Sequence, residues 1–230
     1  MKKIISILTV VLFTSQTLRA QTEETSIDKD LETWSGVEFV YDINSKFSLS
    51  FDEQLRLKEN SSTIDEYFTE LSGKYDIWRG FSLGAGLRFI RSNDSNGKIQ
   101  GYENHLRYQI DVSFKHKIER LDIKYRFRYQ NKSELGSENP NKAQTRLKLN
   151  LDYNFNHWKF DPEISGEIFS PAEGYKLEKY RITIGTSFKL GKSGKLNAFY
   201  GFEGSNNSEA LKQTNIIGLS YKYKLNAKGK

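Results

Sequence analysis

The chain has 230 residues, a formal net charge of +6, a mean hydropathy of −0.67 and no cysteine. The absence of cysteine excludes a disulfide framework and a thiolate metal site. The low hydropathy excludes a bundle of membrane helices, each of which needs about 20 apolar residues. Aromatic residues make up 13% of the chain, which argues against a disordered protein. A sheet that is apolar on one face only fits this balance.

The first twenty residues have the layout of a secretory signal peptide. Two lysines precede an apolar run over 4–13, and a polar stretch then ends at Ala20. We therefore expect a signal peptide over 1–20, cleaved after Ala20, and an exported mature protein. The apolar run is too short to span a bilayer. Residues 21–31 are polar and acidic, and we expect a flexible lead-in there.

From Glu32 to Leu225, apolar and polar residues alternate with a period of two. Over 47–58 the odd positions are apolar except for Glu53, and the even positions are polar; 121–132 repeats the pattern. A helix would scatter these residues around its circumference, so the pattern predicts strands. Eleven segments share it: 32–42, 47–59, 66–77, 81–92, 102–115, 121–132, 143–155, 159–169, 178–190, 196–205 and 215–225.

The connections between these segments alternate in length, as in a chain of antiparallel hairpins. Short connections lie near 42–46, 78–80, 116–120, 156–158 and 191–195, and longer polar ones near 60–65, 93–101, 133–142, 170–177 and 206–214. Outer-membrane barrels have short periplasmic turns and longer external loops. We therefore predict an all-β, antiparallel, up-and-down transmembrane β-barrel over 32–225, followed by a C-terminal tail over 226–230.

The number of strands is harder to predict than the fold. Bacterial single-chain barrels have an even number of strands, with both termini in the periplasm. Counted back from a periplasmic C-terminus, the segment 32–42 would begin on the external side. We therefore expect ten or twelve strands and prefer twelve, with the extra strand drawn from the polar lead-in.

Periodicity alone does not say whether the apolar face points to lipid or to the lumen. The polar face is rich in charges of both signs, at Arg56, Arg88, Arg107, Arg126, Arg128, Arg146 and Arg181 and at Glu66, Glu70, Glu103, Glu163, Glu167 and Glu203. Aromatic residues gather at strand ends near the short turns, at Tyr41, Phe47, Tyr75, Trp78, Phe81, Phe155, Trp158 and Phe160. This placement is typical of the aromatic girdle that membrane barrels have at the membrane–water interface. We favour a membrane barrel and keep a soluble barrel as the alternative.

Five segments carry a resemblance to a known group of proteins. They lie at 67–75, 81–89, 101–108, 125–130 and 216–223, and include YFTELSGKY, FSLGAGLRF and YRFRYQ. They resemble a domain-of-unknown-function family of small exported outer-membrane β-barrel proteins. The resemblance implies an architecture and a location in the outer membrane. It implies no activity, and no residue inherits a catalytic role from it.

Histidines and serines are the candidates for catalysis. A barrel hydrolase needs a histidine, a nucleophilic serine and an orienting polar group together. His105, Ser72 and Ser113 lie on polar faces, but the sequence does not place them side by side. Three scattered histidines without cysteine do not predict a zinc site. We assign no catalytic, cofactor-binding or metal-binding residue and expect no cofactor.

Basic residues alternate with aromatic ones over 124–128. A sheet that binds nucleic acid by stacking needs basic and aromatic side chains on the same face. Here the basic and aromatic side chains point to opposite faces. We therefore expect outer-membrane lipid, and no nucleic acid, as the partner. Three functional hypotheses stay open: a barrel with a structural or small-solute pore role, an outer-membrane lipid-modifying enzyme, and a soluble exported barrel that binds an apolar ligand.

Overall fold

The structure, a computed structural model, describes residues 27–94, 101–156, 158–174, 176–207 and 210–227. All the regular secondary structure in these ranges is β-strand. No helix in the part of the chain that the structure describes is long and apolar enough to cross a membrane. The expected signal peptide over 1–20 lies outside the described residues.

Eleven strands form one closed barrel, in which each strand pairs with its neighbours in the chain. They are β1 (Ile27–Asp42), β2 (Phe47–Lys58), β3 (Thr63–Trp78), β4 (Phe81–Asp94), β5 (Gly101–Ile118), β6 (Leu121–Glu134), β7 (Lys142–Tyr153), β8 (Phe160–Pro171), β9 (Lys179–Leu190), β10 (Gly194–Asn207) and β11 (Ala210–Asn226). The predicted all-β, up-and-down barrel is confirmed.

The barrel closes between β1 and β11, which run parallel. Their pairing extends from Ile27 opposite Leu211 to Asp42 opposite Asn226. Odd-numbered strands of an antiparallel meander point the same way, so closing the first on the eleventh strand must give a parallel pair. The expected even number, ten or twelve, is therefore wrong. The two ends of the barrel chain lie at opposite rims, called here the N-terminal rim, where β1 begins, and the C-terminal rim, where β11 ends.

The two rims differ in their connections, though less than the sequence predicts. The C-terminal rim carries the turns 43–46, 79–80, 119–120, 154–159 and 191–193. The strands that meet at the N-terminal rim are joined in the sequence by 59–62, 95–100, 135–141, 172–178 and 208–209. Connection 59–62 is short because β3 begins at Thr63, before its predicted start at 66. The connection between β10 and β11 is short because both strands extend beyond their predicted ends.

The prediction of a flexible lead-in over 21–31 is wrong for residues 27–31, because these residues belong to β1. The Asp30 carboxylate accepts hydrogen bonds from the backbone N–H groups of Asn60 at 2.8 Å and Glu59 at 3.1 Å. Both residues have positive φ, 57° and 55°, so this carboxylate fixes a tight turn to the first strand. At the other end of the barrel chain, β11 ends one residue later than predicted, at Asn226. Residues 21–26 and 228–230 lie outside the described part.

The alternation sends apolar side chains outward and charged side chains into the lumen. Ile110, Leu147 and Ile184 on the outer wall are 53%, 52% and 61% exposed, whereas Arg128 and Glu167 in the lumen are 7% and 5% exposed. Every strand carries at least one exposed large apolar side chain on the outer wall. This arrangement is the reverse of that in a water-soluble domain, which buries its large apolar residues.

Candidate functional site: a closed lumen with two vestibules

A network of charged and amide side chains covers the lumen wall from β3 to β6. Glu70 on β3 accepts a hydrogen bond from Arg88 Nε at 2.5 Å and one from Gln109 Nε2 at 2.8 Å. Arg107 Nη2 lies 3.5 Å from the same carboxylate, and Arg128 donates to Gln109 Oε1 at 2.7 Å. A buried carboxylate is tolerated when it is paired and hydrogen-bonded in this way. The network ties four neighbouring strands together.

A second cluster is centred on Glu167 of β8, whose side chain is 4% exposed. One of its oxygens lies 2.9 Å from Arg126 Nη2 and 2.8 Å from Arg146 Nη2, and the other lies 3.9 Å from Arg181 Nη1. These guanidinium groups come from β6, β7 and β9. A single carboxylate therefore contacts three guanidinium groups from three other strands.

Aromatic rings and guanidinium groups fill the lumen between these clusters and the N-terminal rim. Arg56 lies 3.9 Å from the ring centroid of Trp34 and 5.2 Å from that of Phe68. Arg181 lies 4.6 Å from the Trp34 centroid and 5.1 Å from that of Phe169. These distances are within the range of cation–π attraction. Trp34 on β1 and Phe169 on β8 have three strands between them in the ring, so Arg181 bridges the lumen. We call these five residues the arginine–aromatic plug.

Two polar cavities remain on either side of the plug and the charge clusters. The C-terminal vestibule has a volume of about 540 Å³, turn residues 44–46 at its mouth, and Glu70, Gln109 and Arg128 on its floor. The N-terminal vestibule has a volume of about 590 Å³ and is lined by Lys58, Lys132 and other polar residues. The two cavities share no lining residue, and the plug and the charge clusters lie between them.

The structure does not bring the sequence candidates for catalysis together. His105 lines the N-terminal vestibule, and its Nε2 lies 3.3 Å from Glu103 Oε2. Ser72 and Ser113 line the C-terminal vestibule. A serine nucleophile needs its base within hydrogen-bonding distance, and these serines lie in a different cavity from the histidine. No catalytic constellation forms from these three residues.

The aromatic residues expected at the short turns form a row along the C-terminal rim. Trp78 and Trp158 are 63% and 57% exposed. The ring centroids of Phe155 and Trp158 are 5.4 Å apart, and those of Phe81 and Phe114 are 4.6 Å apart. The predicted grouping of aromatics near the short turns is therefore found at one rim.

Among the described residues of the strands, the outer wall has one acidic exception, Glu53, which is the charged residue on the apolar face of segment 47–58. Its carboxylate accepts a hydrogen bond from Thr69 Oγ1 at 2.6 Å. No salt bridge reaches Glu53 among the described residues. Beside it, Ser35 and Gly36 leave a shallow cavity of about 480 Å³ on the outer wall, along the β1–β11 seam.

Comparison with known proteins agrees with the predicted resemblance. The family model described as "Protein of unknown function (DUF2490)" matches residues 31–215. The match begins in β1 and ends within β11, so it covers nearly the whole barrel. No curated protein matches the chain.

Proposed function

Because the chain belongs to the DUF2490 family of unknown function, we propose a role from its geometry alone: an integral outer-membrane β-barrel whose lumen is closed to free diffusion. The apolar outer wall carries this proposal. Exposed large apolar side chains occur on all eleven strands. A monomer in water rarely exposes apolar patches above a few hundred Å², whereas a membrane barrel requires such a belt.

Strand length and aromatic placement support the same role. The strands have between 12 residues, as in β2, and 18 residues, as in β5. A tilted transmembrane strand needs about 9–11 residues. The aromatic row along the C-terminal rim matches the girdle that membrane barrels place at an interface. The C-terminal rim, with its short turns, is then the periplasmic side.

The filled lumen favours a structural role over an open pore. A barrel of about eight strands is just wide enough for side chains to fill it, while aqueous channels occur with 16 or more strands. Eleven strands lie between these limits, and here the plug and the two charge clusters occupy the middle of the lumen. Passage of a solute would require Arg181 to leave both Trp34 and Phe169.

The two rival hypotheses find less support in the geometry. A lipid-modifying enzyme needs its serine and histidine together, and His105 is in a different vestibule from Ser72 and Ser113. A soluble barrel with an apolar ligand needs an apolar lumen, whereas the vestibules here are lined mostly by charged residues and serines.

Cell fractionation followed by planar-bilayer recording tests the proposal. We expect the protein in the outer-membrane fraction, resistant to alkaline carbonate washing, with a gel mobility that changes on boiling. We also expect no steady conductance after reconstitution. Recovery from the periplasm without detergent would overturn the membrane role, and a stable open current in the wild type would overturn the closed lumen.

A further inference from the structure

We propose that the C-terminal vestibule binds a small anionic solute that carries phosphate or carboxylate groups together with hydroxyls. The vestibule volume of about 540 Å³ is within the range of about 300–1,000 Å³ that small-molecule sites occupy. The site goes beyond the proposed function, because it uses only the shape and charge of the lumen and does not require a particular membrane.

The carboxylates that line the vestibule are already neutralised by cations of the protein. The pairs are Asp111 with Arg128 at 2.7 Å, Glu38 with Lys222 at 3.0 Å, Asp42 with Lys224 at 2.8 Å, Asp76 with Lys74 at 2.7 Å and Glu70 with Arg88 at 2.5 Å. An entering anion therefore meets no free carboxylate from this set.

Two cations that line the vestibule, Lys46 at its mouth and Lys124 on β6, have no ion pair among the residues that the structure describes. The side chain of Lys124 is exposed inside the vestibule. Arg126, Lys74 and Lys222 line the same cavity as Lys124. Lys124 thus sits in a positive field without a counterion, and an anionic ligand would supply one.

The wall next to these cations consists of small hydroxyl side chains. Ser50 on β2 lies opposite Ser72 on β3, and Ser113 on β5 lies opposite Arg126 on β6. None of these three hydroxyls has a hydrogen-bond partner within the described part of the chain. Hydroxyls beside ammonium and guanidinium groups are donors suited to phosphate or carboxylate oxygens, and hydroxyls also accept hydrogen bonds from ligand hydroxyls.

The vestibule is open at the C-terminal rim and has a floor inside the barrel. The turn at 44–46 forms the mouth, and Glu70, Gln109 and Arg128 form the floor. Because Glu70 already binds Arg88, the floor does not repel an anion. A solute that enters from the C-terminal rim is stopped there, so the cavity holds a ligand and does not conduct it.

Isothermal titration calorimetry of the folded chain in detergent micelles tests the site. Pyrophosphate and citrate are the anionic probes, one for phosphate and one for carboxylate, and glucose is the uncharged control. We expect saturable binding of at least one anion and none of glucose. Lys124→Gln should weaken binding about tenfold or more, the effect of losing a charge-assisted hydrogen bond.

Lys132→Gln is the matched control, because Lys132 lies on the same strand but lines the N-terminal vestibule. It should leave the affinity within about twofold, a shift well below that of a lost hydrogen bond. Ser72→Ala, expected to weaken binding several-fold, replaces Lys124→Gln if that variant does not fold. Heat-modifiable gel mobility reports folding of each variant.

Two results would overturn the site: no saturable binding of either anion by the wild type up to about 10 mM, or equal weakening by both lysine substitutions. The second result would indicate a general attraction of anions to a basic protein. Because the titration is done in micelles, failure of the membrane role in fractionation leaves its outcome unchanged, and the two failures are distinguishable.

Discussion

Replacement of Glu167 by glutamine is expected to be among the most destabilising single changes in the lumen. The substitution keeps the size of the side chain but removes its charge. Arg126 and Arg146 lie 2.9 and 2.8 Å from the carboxylate, and Arg181 lies 3.9 Å from it. Without it, Arg126 and Arg146 have no carboxylate within 4.0 Å among the described residues, whereas Arg181 keeps Glu203.

The cost follows from burial. Removing one partner of a buried ion pair costs about 3–5 kcal/mol, because the remaining charge is buried without compensation. Glu167 is 4% exposed and serves more than one cation, so we place the loss at the upper part of this range. Urea or guanidinium unfolding of the protein reconstituted in lipid vesicles, followed by tryptophan fluorescence, measures it.

Glu163→Gln is the matched control for this measurement. Glu163 lies on the same strand and also faces the lumen, but its carboxylate accepts a hydrogen bond from Asn150 Nδ2 at 2.5 Å and has no salt bridge among the described residues. We expect a loss below about 1 kcal/mol, the size of an ordinary hydrogen-bond change. If the two variants lose the same stability, Glu167 does not hold its cations together as we infer.

Three further predictions address the outer wall, the seam and the plug. Glu53→Leu should raise the free energy of unfolding in lipid by about 1–2 kcal/mol, because it removes a charge from a position that the proposed membrane role places against lipid; a decrease would contradict that placement. Gly218→Ala should cost about 1–3 kcal/mol, since its methyl group would overlap the Phe199 ring. Gly166→Ala meets open space and should gain about 0.5 kcal/mol, so equal effects at the two glycines in chemical denaturation would refute this packing. Trp34→Ala should produce intermittent conductance in planar bilayers and reduce stability by about 3–5 kcal/mol; a silent, fully stable variant would show that the plug does not close the lumen.

The strands could be predicted because each one has an apolar face on the outer wall and a polar face in the lumen. The predicted segment 47–59 matches β2 except for its last residue, and 121–132 lies within β6. The start of β1 was missed, because the three charged residues Asp28, Lys29 and Asp30 interrupt the alternation between Ile27 and Leu31. Their strand conformation depends on pairing with β11 and on the contact of Asp30 with the turn at 59–60, and such contacts leave no local signal.

The closure of the barrel was the least predictable part of the fold. The seam joins Val37 to Tyr221, residues far apart in the chain, and nothing in either strand specifies a parallel partner. The general rule of even strand numbers led to the wrong parity. The count of eleven alternating segments was the better guide.

The alternation of odd and even positions predicted which charged residues face the lumen. It did not predict which of these residues form ion pairs with one another. Glu167 meets arginines from three strands, and this depends on the order and stagger of the strands around the ring. The plug did leave a signal, since Trp34 and Phe169 are apolar residues at polar-face positions of β1 and β8. A large apolar residue at a lumen-facing position indicates that side chains pack against one another inside the lumen.

Spin labels along β7 test the central claim, that the apolar face contacts lipid, most directly. The chain has no cysteine, so single cysteines can be introduced and labelled one by one over 145–152. In reconstituted protein, the odd positions should be more accessible to oxygen than to a water-soluble nickel complex. The even positions, which face the lumen, should not show this preference. Odd positions that favour the nickel complex would contradict a membrane barrel.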